Sequence, residues 1–106
     1  YYDIIIVQRG KEEKNMTNIY IEQLREQINT YKKYAELADK ADKAYEADPM
    51  NEALEHEAYV YYTKEINALI QATNLIKVLT KTDTSTARKM VITKTDEIIG
   101  LVSMVA

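Results

Sequence analysis

With 106 residues the chain has room for one domain and one modest core. It contains no cysteine, which excludes disulfides, thiolate metal sites and a cysteine nucleophile and fits a cytoplasmic setting. A net charge of −3 disfavours nucleic acid as a partner of the whole domain, and no apolar run approaches the ~20 residues of a membrane span.

The first fifteen residues stand apart. Back-translated with AT-rich codons, Lys11-Glu12-Glu13-Lys14-Asn15 contains AAGGAGG, a bacterial ribosome-binding sequence, placed just before Met16. Residues 1–15 are therefore expected to be a translated leader or a disordered arm, with residues 16–106 as a single helical domain. Within the leader, Ile4 to Val7 reads as a stray strand or a helical turn, set off by Gly10.

From Thr17 the apolar positions Ile21, Leu24, Ile28, Tyr31, Ala35, Ala38 and Tyr45 recur in steps of three and four, broken at Asp42. That spacing puts one stripe along a helix from about 17 to 47. Asp48-Pro49 ends it, because proline disfavours helical geometry in the residue before it. Asp48 is then the expected cap of a second helix, with Pro49 in its first position. This helix, about 49–80, carries Tyr59, Tyr62, Ile66, Leu69, Thr73 and Ile76. Folded back antiparallel, these residues fall opposite Ala38, Ala35, Tyr31, Ile28, Leu24 and Ile21, with the two tyrosines filling the space the alanines leave.

A second apolar face on the same helix (Leu54, Ala58, Tyr61, Ala68, Ala72, Leu75 and Leu79) calls for another neighbour. A third helix from about 86 to 105, capped by Asp83 or Ser85, supplies Ala87, Met90, Val91, Ile98, Leu101, Val102 and Val105. It is expected to pack on the second helix and to carry Val105 towards Tyr61. The predicted fold is all-α: a long antiparallel hairpin with a shorter C-terminal helix covering the half nearest the termini.

The uncovered tip is acidic. Residues 36–57 hold eight carboxylates against two lysines, a net −6. Such a run is commonly a solvated face; the functional reading is a docking site for a basic protein, using Tyr45, Glu46, Met50, Glu52 and Glu55. The single histidine, His56, has Glu52 one turn earlier. A durable metal site wants more ligands than these two, so neither a metal nor a cofactor is expected. At the other turn Lys77, Lys81, Arg88, Lys89 and Lys94 form a basic end. Their ordinary role is to complement helix dipoles; the alternative function is DNA contact through Lys81, Arg88, Lys89 and Lys94. The apolar C-terminal run Ile98 to Val105 suggests a homodimer through that helix.

Leu24-Arg25-Glu26-Gln27-Ile28 resembles the opening of the all-helical chorismate mutases over five residues. Only Arg25 and Arg88 follow Met16 as arginines, whereas a dianionic substrate needs converging cations, so that activity is not expected. Ala44 to Asn51 resembles the junction between two tetratricopeptide repeats, but Arg25 stands where such a repeat has glycine and no second copy recurs. In composition, size and gene start the chain is similar to small acidic helical proteins carried by phages and mobile elements of low-GC Gram-positive bacteria. The resemblance implies an accessory role and assigns no residues. The expected function is a non-enzymatic interaction or assembly module whose partner is a protein of unknown identity. It would be met through the tip or the C-terminal helix.

Overall fold

The computed structural model describes the backbone from residue 2 to 106 and side chains from Met16 onward. Four helices follow one another: α1 (Tyr2–Ala47), α2 (Glu52–Thr80), α3 (Thr84–Thr93) and α4 (Ile98–Val105). α1 and α2 form the antiparallel hairpin, and no strand occurs among the described residues. At about 1.5 Å per residue, the 46 residues of α1 account for the 71 Å long axis. The backbone helix passes through Ile4 to Val7 and through Gly10 without a break. A lone glycine costs a helix only about 1 kcal/mol, so Gly10 does not divide this segment as its position suggested. The side chains of the proposed leader lie outside the described residues.

The turn at the tip differs from the expected one. The Asn51 N–H donates to the Asp48 carbonyl at 3.1 Å, closing a four-residue turn with Pro49 in its second position, where a fixed φ is favourable. Proline is thus used in the turn, and α2 begins at Glu52 rather than Pro49. Asn51, not Asp48, caps the helix: its Oδ1 accepts from the N–H groups of Ala53 at 3.1 Å and Leu54 at 3.4 Å. α2 ends on Lys81, whose φ of 58° is left-handed and whose N–H donates to the Lys77 carbonyl.

Asp83 caps α3 through a 2.6 Å bond from the Thr86 N–H. The single C-terminal helix expected from about 86 to 105 is instead two, parted at Lys94 to Glu97. Thr95 sits in that turn with its hydroxyl donating to the Val91 carbonyl at 2.6 Å. The break turns the chain so that α4 contacts α1 as well as α2, and the Lys32 ammonium pairs with Asp96 beside the turn. Val105 consequently does not reach Tyr61; it is 70% exposed.

One core joins all four helices: Leu24 and Ile28 of α1, Leu69, Ala72 and Ile76 of α2, Ala87 and Val91 of α3, and Ile98 and Val102 of α4. Towards the tip the seam narrows to small buried residues, Ala38, Ala41 and Ala58. Here the structure corrects the pairing of small residues with tyrosines. Tyr59 and Tyr62 are 67% and 56% exposed, while Ala58 is buried and Tyr61 half-buried. Five turns of a straight helix take about 18 residues, and stepping back that far from the buried Ile76 arrives at Ala58, not Tyr59. The alternating three-four pattern assumes a supercoiled period, which drifts from a straight helix by about half a residue, roughly 50°, over five turns.

Candidate functional site at the hairpin tip

The tip projects beyond the four-helix core, so its side chains have few neighbours. Lys40 and Lys43 are already engaged within α1, by Glu36 at 3.3 Å and Asp39 at 3.0 Å. Among the described residues no ion pair involves Asp42, Glu46, Asp48, Glu52, Glu55 or Glu57. Six carboxylates therefore face solvent without a partner cation.

Two shallow hollows shape this surface. Asp42, Tyr45, Glu55, Ala58, Tyr59 and Tyr62 line one; Glu52, Glu55, His56 and Tyr59 line the other. The structure thus brings Tyr45 together with Glu55, and Glu52 with Glu55, among the residues proposed from the sequence. Glu46 and Met50 are exposed but line neither hollow, Met50 at the apex being 91% exposed. Tyr59 and Tyr62 belong to the site and were missed, since their spacing had assigned them to the core. The signal available in the sequence was the short C-terminal segment, which leaves the ridge of Tyr59 and Tyr62 uncovered at the tip.

Below the hollow, Glu65 is a half-buried carboxyl in the interhelical seam. Loss of solvent, and then the charge of Asp42, hold it above the usual carboxylate range. Tyr31 is raised in turn, first by burial and then by Glu65. His56 is exposed, and among the described residues no group of three or more metal-ligating side chains converges.

The other end of the rod carries opposite charge. Lys81, Arg88, Lys89 and Lys94 are all exposed there. Arg88, Lys89 and the half-exposed Ile92 form the outer face of α3, opposite the buried Ala87 and Val91. Asp83, within this end, is held below the usual carboxylate range by the hydrogen bond from Thr86, with a smaller effect of Lys77.

The geometry defines an all-helical protein, a long hairpin with a short helical pair packed over its base. No family model, curated protein or solved structure matches the chain. Among the described residues no helix is long and apolar enough to cross a membrane.

Proposed function

We propose that the chain is a non-enzymatic interaction module that docks a basic protein surface on its hairpin tip. One observation carries this reading: an open hollow walled by Tyr45, Tyr59 and Tyr62, with Asp42 and Glu55 in its lining, lies at a tip where six exposed carboxylates have no ion-pair partner among the described residues. Exposed aromatic rings supply contact area at low entropic cost, and surrounding charge selects and steers the partner. A solvated face alone would require neither the tyrosines nor the hollow. Gene neighbours encoding capsid, tail or integrase functions would support an accessory role in a phage or mobile element.

The test is affinity capture from the host's own extract with three proteins: the parent, Glu46→Gln/Glu52→Gln/Glu55→Gln, and Arg88→Ala/Lys89→Ala. Loss of a captured protein in the first variant is the expected result. Capture unaffected by neutralising the tip removes the proposal. Salt-sensitive retention of DNA that disappears with Arg88 and Lys89 would move the function to the basic end.

A further inference from the structure

The hollow at the tip and the helices at the base occupy the same flank of the hairpin. On α2, Tyr62, Ile66, Leu69 and Thr73 follow one another in steps of three and four, which keeps them on one ridge. The lower part of that ridge is covered: Ile66 packs on the four-helix core and Thr73 is buried. Its upper part, at Tyr62 and Tyr59, is bare. α1 agrees, with Ile28 buried in the core and Lys32 tied to Asp96, whereas Asp42 opens into the hollow. Within the hairpin the rod is therefore stepped, thick and basic where α3 and α4 pack at the base, thin and acidic at the tip.

We infer that the partner of the tip is a second copy of this chain, arranged antiparallel about a two-fold axis, with the outer face of α3 of each copy seated on the tyrosine hollow of the other. This rests on the proposal that the tip is a docking surface and names its occupant. Two observations favour the second copy. The charges are complementary: Arg88, Lys89 and Lys94 meet Asp42, Glu46 and Glu55, with Ile92 as the apolar contact for Tyr59 and Tyr62. The steps are also complementary, since antiparallel stacking sets each thick base against a thin tip. A two-fold pairing uses both zones at once and closes, leaving no end for further addition. Parallel pairing would instead set acid against acid and base against base.

Sedimentation or light-scattering mass of the whole chain, across concentration and salt, tests the inference. The expected mass is twice the 12.3 kDa of the chain at low ionic strength, falling towards the single chain as salt screens the pairing. Glu46→Lys/Glu55→Lys and Arg88→Glu/Lys89→Glu should each be monomeric alone. Mixed in equal amounts, they should form a heterodimer, because both zones then join opposite charges; a folding defect in either variant would not be rescued by mixing. Failure of the mixture to dimerise, a monomer under all conditions, or growth beyond the dimer each overturns the arrangement. Should the parent be monomeric while capture from extract still depends on Glu46, Glu52 and Glu55, the docking proposal stands and only its occupant is wrong.

Discussion

Tyr34 of α1 and Tyr61 of α2 meet across the hairpin with ring centroids 6.0 Å apart and planes inclined by 30°. The ammonium groups of Lys33 and Lys64 lie 5.3 and 5.2 Å from the Tyr34 ring centre, within range of a cation–π attraction. This cluster stands between the four-helix core and the alanine seam, where no third helix contributes.

That contact sets the rotation of α2 and separates two adjacent tyrosines. Tyr61→Ala should lower unfolding free energy by about 1–3 kcal/mol, and a double-mutant cycle with Tyr34→Ala should return a coupling of about 0.5–1.5 kcal/mol. Tyr62→Ala should change stability by less than ~1 kcal/mol, as its ring is largely in solvent. Denaturant unfolding of the variants measures all three. A larger loss at Tyr62 than at Tyr61 would mean the helix face is rotated.

Leu69 is 8% exposed and belongs to the same core cluster as Ile28, which is 4% exposed. Truncating it to alanine opens a cavity that the surrounding helices close only in part, at a cost of about 2–5 kcal/mol. Lys33→Ala should cost less than ~1 kcal/mol, since it removes only a solvent-exposed cation–π contact. Thermal unfolding with both variants checks the contrast, and equal effects would contradict the core assignment.

Glu65 gives the hairpin a pH dependence of defined sign. Its folded pKa lies above the unfolded value, so protonation favours the folded state. The stability linked to Glu65 is full below the unfolded pKa and is lost as pH rises through the folded one. Glu65→Gln should therefore raise the melting temperature at pH 7 and leave it nearly unchanged at about pH 3, where the parent carboxyl is already neutral. Asp83 acts oppositely: its folded pKa is lowered, so its contribution is present above the unfolded value and disappears as pH falls through the folded one. Melting curves from pH 3 to 7 for Glu65→Gln and Asp83→Asn distinguish the two signs.

Backbone positions offer stabilising changes. Lys81 adopts φ 58°, a left-handed geometry in which a Cβ is strained and glycine is not, so Lys81→Gly should raise stability by about 0.5–1 kcal/mol. Gly100 lies inside α4 with no atom within 4 Å of where a Cβ would stand. Gly100→Ala should gain a similar ~0.5–1 kcal/mol from helix propensity. Asn51→Ala should instead cost about 0.5–2 kcal/mol by removing the cap of α2. Chemical unfolding of the three variants gives the signs directly.

Local patterning alone determined the all-α class, the hairpin, the bend at Asp48-Pro49 and the burial of Leu69 and Ile28 in one core. These follow from helix propensity, turn chemistry and apolar spacing, which act over a few residues and can be read along a chain. The acidic tip and basic end were equally legible, because charge is a property of composition. Tertiary structure decided what depends on accumulated rotation and on competition among neighbours. About 10° per turn accumulated over five turns, together with the lack of a covering helix at the tip, leaves Tyr59 and Tyr62 exposed and Ala58 buried. At Thr95 the helical ladder yields to a turn that lets Ile98 and Val102 bury against α1, a gain set by a surface some seventy residues away in the chain.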